Sequence, residues 1–150
     1  MKIKKPKIDI SKLSVTQIIP KTKSIVNDPI LMDIKKPTAS FQLEMTPMFN
    51  LDEDAIKIEL LVSIDLIKGK KLHAKVAVFS YDFYYQYNNL KDLLDEEGEI
   101  VSEIFLTCSN LSYSTLRGII YSNSSKTCIE NVLLPIVTGT QLMEGSVKSN

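Results

Sequence analysis

Between Ile56 and Leu66 every second residue is a large aliphatic: Ile56, Ile58, Leu60, Val62, Ile64 and Leu66. The positions between them carry Lys57, Glu59, Leu61, Ser63 and Asp65. A period of two sends successive side chains to opposite faces, so this run is a β-strand with one face buried and the other mostly wet. At Lys68-Gly69-Lys70-Lys71 a glycine supplies the positive φ that a hairpin turn requires, and Leu72 to Tyr87 is β-rich again. Upstream, Phe41, Leu43 and Met45 also alternate. The links between these runs are too short for crossover helices, so they form an antiparallel meander. An earlier strand runs from Ser14 to about Val26, where Pro20 removes a ladder donor and marks an edge or a bulge.

The fourth strand ends in Tyr81, Phe83, Tyr84, Tyr85 and Tyr87. Alternation forbids all five from pointing inward. Some are expected on the surface, where tyrosines make contacts at low entropic cost, unless both faces of the strand end are covered. Between the first two strands, Asn27-Asp28-Pro29 is a turn signal, and Ile30, Leu31, Met32 and Ile34 follow before Pro37. A loop this apolar either packs on the core or forms a sticky surface.

After the acidic stretch Asp92–Glu99 the period changes. Val101, Ile104, Phe105, Cys108, Leu111, Leu116, Ile119 and Ile120 recur at spacings of three and four, which predicts a helix to Tyr121, about 30 Å long. Acidic residues around its start suit the positive end of the helix dipole. Only Glu103 and Arg117 are charged between Val101 and Tyr121. Covering a sheet face needs an apolar stripe only ~100° wide, and here the apolar side chains spread over about half the circumference. The surplus predicts an oligomer, with Ile104, Cys108, Leu111, Leu116, Ile119 and Ile120 as interface candidates. Arg117 is expected to pair with Glu103 or with a neighbouring subunit. Finally, Thr138-Gly139-Thr140 is expected to cap a short helix containing Leu142 and Met143. The fold class is therefore α+β: a four-stranded antiparallel sheet with one long and one short C-terminal helix. Residues 1–13 are expected to be a flexible basic tail, residues 14–144 a single domain, and residues 145–150 a frayed end.

The chemistry that this chain lacks narrows its function. Its 150 residues are 44% hydrophobic and 24% charged, ordinary globular proportions, and 18 basic residues balance 18 acidic ones. No net field draws nucleic acid or an anionic membrane. The early lysines Lys2, Lys4, Lys5, Lys7 and Lys12 read as a nucleic-acid arm or, more simply, as a solvated terminus. No apolar run is long enough for a signal peptide or a spanning helix, so a cytoplasmic protein with no membrane insertion is expected. The two cysteines, Cys108 and Cys128, have no CxxC spacing and are expected as free thiols, Cys108 in the core and Cys128 in a polar loop. The single histidine, His73, has no ligand or nucleophile at a useful spacing, and the five glycines make no phosphate loop. The acids at 92–99 do not follow the EF-hand pattern and read as a solvated loop. No enzyme, metal or cofactor is expected.

Residues 56–90, IKIELLVSIDLIKGKKLHAKVAVFSYDFYYQYNNL, resemble the central hairpin of the SecB family of export chaperones. Residues 112–137, SYSTLRGIIYSNSSKTCIENVLLPIV, resemble the second half of that family's long helix and the segment after it, through Tyr113, Arg117, Asn131, Pro135 and Val137. The resemblance spans about residues 10–144. It implies a tetramer, a dimer of dimers with the long helices between two sheets, that binds unfolded or non-native polypeptides in apolar grooves without ATP. By position, the groove residues would be Ile30, Leu31, Met32, Ile34, Leu142 and Met143, with Tyr81, Phe83 and Tyr85 as further peptide contacts. Family chaperones that deliver cargo to the SecA motor are strongly acidic on the open sheet face, whereas this chain is neutral and offers Glu59 and Asp65 there. The charge thus speaks against SecA, which stays open as a partner beside export clients and an antitoxin held until it folds. The rival reading is an interaction module or structural subunit with the same fold and one folded partner.

Overall fold

The structure, a computed structural model, describes residues 5–32, 38–130 and 132–143. Four strands, β1 (Leu13–Ile25), β2 (Thr38–Asn50), β3 (Ala55–Lys68) and β4 (Lys71–Tyr87), form one antiparallel sheet in the order β1-β4-β3-β2. β2, β3 and β4 are the expected meander, and β1 returns to pair with β4, which makes it an edge strand. Its ladder slips between Val15 and Gln17 and again between Pro20 and Thr22. The missing amide of Pro20 thus falls where the ladder is already broken. β2 is the other edge, and it carries the sheet's second proline, Pro47.

One face of the sheet is dry. Ile56, Ile58, Leu60, Val62, Ile64 and Leu66 of β3 and Phe79, Tyr81, Phe83, Tyr85 and Tyr87 of β4 are all buried on it. Against it packs α2 (Ser102–Asn123), a 22-residue helix. Ile104, Cys108, Ser112, Leu116 and Ile120, spaced at four, are its buried stripe. The same face extends to Val101, Ser109 and Tyr113.

Two tyrosines of β4 find partners for their hydroxyls beyond the sheet. Tyr85 Oη donates to the Cys108 carbonyl at 3.1 Å and meets Ser112 Oγ at 2.6 Å. The small serine leaves room for the ring, and its hydroxyl supplies a partner that a buried phenol requires. Tyr87 Oη accepts from the Asp9 amide at 3.0 Å, next to a 3-10 turn at Ile10–Lys12. The chain is thus attached to the sheet before β1 begins.

At the far end of β3 and β4 the chain turns tightly. Asp54, at φ 53°, accepts from the amides of Asn89 and Leu90 at 3.1 and 2.8 Å, which joins the β2–β3 turn to a 3-10 turn at Leu90–Leu93. The acidic loop that follows folds around Asp95, whose carboxylate accepts from the amides of Glu97 and Glu99. The loop sets the angle at which α2 enters over the sheet.

Burial pushes the Cys108 thiol up to about 12 from 9.0. It likewise raises the Tyr85 and Tyr113 hydroxyls to about 12 from 10.0. In each case the folded chain holds its proton to higher pH than the unfolded chain does. Their contribution to stability is full below pH 9.0 and is lost as pH rises from there through about 12. Urea unfolding midpoints should therefore fall steadily across this alkaline window. A midpoint that holds flat up to ~pH 11 contradicts the burial of these groups.

Candidate functional site

Beyond α2 the chain becomes a strap. It turns at Ser124–Thr127, runs back beside the helix through Val132–Thr138, and ends in the short α3 (Gly139–Met143). Thr138 and Gln141 cap α3 reciprocally: the Gln141 amide donates to Thr138 Oγ1 at 3.2 Å, and the Thr138 amide to Gln141 Oε1 at 2.9 Å. Two side chains one turn apart on α2 hold the strap. Tyr113 Oη donates to the Pro135 carbonyl at 2.7 Å, and Arg117 Nε to the Leu134 carbonyl at 3.2 Å. Both acceptors are backbone groups of an extended segment that has no sheet partner. Arg117 thus bonds the strap through Nε, and among the described residues it makes no ion pair with Glu103. Proline at 135 suits an extended strap because it has no amide to satisfy.

The strap alternates as a strand would. Val132 and Leu134 point inward and are buried, while Leu133 and Ile136 point outward at 71% and 85% exposure. Beside them lies the outer stripe of α2: Leu111, Ser114, Gly118 and Tyr121. Leu111 and Tyr121 are exposed, and no charge interrupts the stripe. Between helix and strap, Gly118, Ile120, Tyr121, Val132, Leu133 and Leu134 contribute to the lining of a cleft of about 250 Å³. Near the start of α2, Phe105 meets Phe49 with ring centroids 5.8 Å apart, and Phe49 and Met48 stand exposed at the end of β2. Unsheltered apolar side chains in this number are what a binding or assembly surface looks like.

The opposite face of the sheet is polar. Lys57 pairs with Glu59 at 2.7 Å and with Asp82 at 3.5 Å, and Lys21 approaches Asp82 at 3.6 Å. The side chain of Asp82 is only 4% exposed, so this carboxylate depends on its two lysines for compensation. The Glu59 carboxylate, then that of Asp82, raises the Lys57 ammonium well above its ordinary range. Lys57 also lies 5.6 Å from the ring centre of Tyr84.

The groove candidates divide. Ile30 and Met32, in the single turn α1 (Pro29–Met32), are exposed, while Leu31 between them is buried in the core. Leu142 is buried too, in α3 packed on α2 and β2. Ile34, Asn131, the side chain of Met143 and residues 145–150 lie outside the described residues. Tyr81, Phe83 and Tyr85 are withdrawn from any peptide surface, because they share the buried parity of β4; the cluster's outward member is Tyr84, half-buried. Of the interface candidates, Ile104, Cys108, Leu116 and Ile120 face the chain's own sheet, whose dry face takes the whole inward stripe of α2. Leu111 and Ile119, exposed and half-buried, lie outside that stripe. Cys128 is not an exposed thiol: it is buried and its Sγ donates to the Val26 carbonyl at 3.4 Å. Tyr121, Leu133, Ile136, Met48 and Phe49 went unnoticed in the sequence. The alternation of Val132-Leu133-Leu134 about Pro135 was a signal for two of them. Among the described residues, no group of His, Cys, Asp and Glu can hold a metal ion, and no helix is long and apolar enough to cross a membrane.

The chain superposes on the Mycobacterium tuberculosis Rv1957 SecB-like chaperone, solved in complex with a ChAD peptide from the Rv1956 HigA1 antitoxin. The match covers 85% of this chain and 92% of that one, with a TM-score of 0.56 at 12% sequence identity. The fold is SecB-like. By sequence alone, no family model and no curated protein matches. At this identity the SecB-like likeness is one of architecture, and what the surface binds has to be argued from the surface itself.

The strap has no sheet ladder and is held by the buried Val132, Leu134 and Leu142 and by the two hydrogen bonds from α2, so it should detach first. Tyr113→Phe leaves the Pro135 carbonyl without its donor and should weaken the strap by about 1 kcal/mol. Hydrogen exchange should then quicken selectively in residues 129–143. Equal quickening over β3 and β4 contradicts a locally held strap.

Proposed function

We propose that this chain is an ATP-independent, SecB-like holdase that binds unfolded or non-native polypeptides. The observation that carries the reading is a SecB-like fold that leaves apolar groups bare at Ile30, Met32, Met48 and Phe49, apart from those of the helix layer. An extended client can bury several of its apolar side chains against such scattered contacts, each worth ~1.5–3 kcal/mol when fully buried. The sum holds a chain reversibly without a nucleotide cycle. Ile30 and Met32, exposed on α1, would be contacts of the proposed groove.

The surface of α2 and the strap is the proposed contact between subunits, in a homotetramer built as a dimer of dimers. Leu111, Ile119 and Tyr121 would be its helical contribution, and Leu133 and Ile136 that of the strap. The client is either a protein bound for export or a dedicated partner such as an antitoxin, the latter in line with the antitoxin peptide bound to the structural neighbour. SecA is the weaker partner, because the open sheet face carries few acids and pairs two of them, Glu59 and Asp82, with lysines.

Two experiments test this. The protein should suppress light scattering from a denatured model protein at stoichiometric ratio without nucleotide, and Ile30→Ser with Met32→Ser should weaken the effect severalfold. No suppression by the wild type contradicts the holdase. Separately, Gly118→Leu adds a side chain where a Cβ meets nothing within 4 Å, so it fills the cleft without a clash in its own chain. It should raise monomer stability by about 0.5–1 kcal/mol, through helix propensity, and yet split the oligomer in sedimentation velocity. A wild-type chain monomeric at micromolar concentration contradicts the assembly.

A further inference from the structure

The neutral charge of the whole chain hides a separation of charge along the sheet. At one end, the β2–β3 turn brings Asp52, Glu53 and Asp54 next to the loop bearing Asp92, Asp95, Glu96, Glu97 and Glu99. At the other end, the β3–β4 hairpin carries Lys68, Lys70, Lys71 and Lys75, all exposed. Of the lysines elsewhere, Lys12 pairs with Asp92, Lys21 and Lys57 with Asp82, and Lys91 with Asp52. Among the described residues, the four hairpin ammonium groups make no ion pair. The nearest acid in sequence, Asp65, is taken up at 2.7 Å by the backbone amide of Lys75, which sits at φ 50°.

The hairpin also reaches farther at this end than either outer strand. The last partner of β1 is Ile25 opposite Ala77, and β2 begins with Thr38 opposite Ile67. The Lys68–Lys71 rung and the turn at Gly69, φ 61°, therefore lie beyond both outer strands. Among the lysines stands Leu72, 56% exposed, cross-strand from the half-exposed Ile67.

We infer that this hairpin tip docks the protein on an anionic lipid surface. A convex tip touches a plane, and its lysines are drawn to anionic headgroups within a Debye length. Leu72 enters the headgroup boundary as the apolar member of an amphipathic contact. The acidic opposite end is repelled, so the chain stands on its hairpin with the helix layer free at its side. A nucleic acid fits the tip poorly: no Phe, Tyr or Trp occurs from Leu66 to Lys75 to stack a base, and a convex turn makes no channel for a strand. The contact is peripheral and independent of the holdase reading.

Co-sedimentation of the full chain with vesicles tests it. Binding should occur to phosphatidylcholine vesicles with roughly one third phosphatidylglycerol, not to phosphatidylcholine alone, and should fade as salt rises from ~0.05 to ~0.5 M. Each lysine removed should lower the partition about fivefold, so Lys68→Gln, Lys70→Gln and Lys71→Gln together lower it about 100-fold. Leu72→Ser should weaken binding severalfold more at high salt than at low salt, with an unchanged melting temperature. Equal binding to both vesicle types overturns the inference. So does a triple variant that binds like the wild type, or displacement from vesicles by an oligonucleotide at equal phosphate.

Discussion

The dry face of β3 and β4 carries six aliphatic and five aromatic side chains that one helix must cover. At ~1.5–3 kcal/mol for each large side chain kept from water, this contact outweighs any other in the chain. It dictates the composition of α2, whose inward stripe must be apolar at every fourth position and small where tyrosine rings arrive. Ser112 answers both demands through its size and its bond to Tyr85. The bulged edge of β1, the Asp54 junction and the acidic loop around Asp95 all act to bring α2 in over that face. None of them buries comparable surface.

Once α2 has spent its inward stripe on the sheet, its remaining circumference carries only two charges, Glu103 and Arg117. The strap completes the layer but adds to the same surplus, because an extended segment that buries Val132 and Leu134 necessarily turns Leu133 outward. The two faces of the molecule therefore differ in kind. The open sheet face solves its exposure by pairing charges, down to an almost fully buried Asp82 between two lysines. The helix face leaves apolar groups unsheltered. This SecB-like architecture therefore has one side with unsheltered apolar groups and another suited to water.

Charge follows a third axis. Antiparallel pairing puts both turns that flank β3 at opposite ends of the sheet, so acids that follow one turn and lysines that form the other cannot neutralise each other. Net charge, which sums over the chain, is blind to this arrangement.

The strands, their order in the meander, the edge position of the Pro20 strand, the long helix and the capped short helix were all legible in the residues, because periods of two and 3.6 are set by backbone geometry alone. Even the Tyr113–Arg117 spacing carried its message, although only the fold revealed that both side chains grip the strap. The period of β4 says that Tyr81, Phe83, Tyr85 and Tyr87 lie together and Tyr84 apart. It does not say which side the helix will cover. The same holds for α2, where the apolar stripe at Ile104, Cys108, Leu116 and Ile120 can be told from the outer one at Leu111 and Tyr121 only once a sheet lies against it. Local periodicity is a property of the segment and is written in its residues; which face is dry is a relation between segments, settled when Tyr85 meets Ser112 and Cys128 meets Val26 across long stretches of chain.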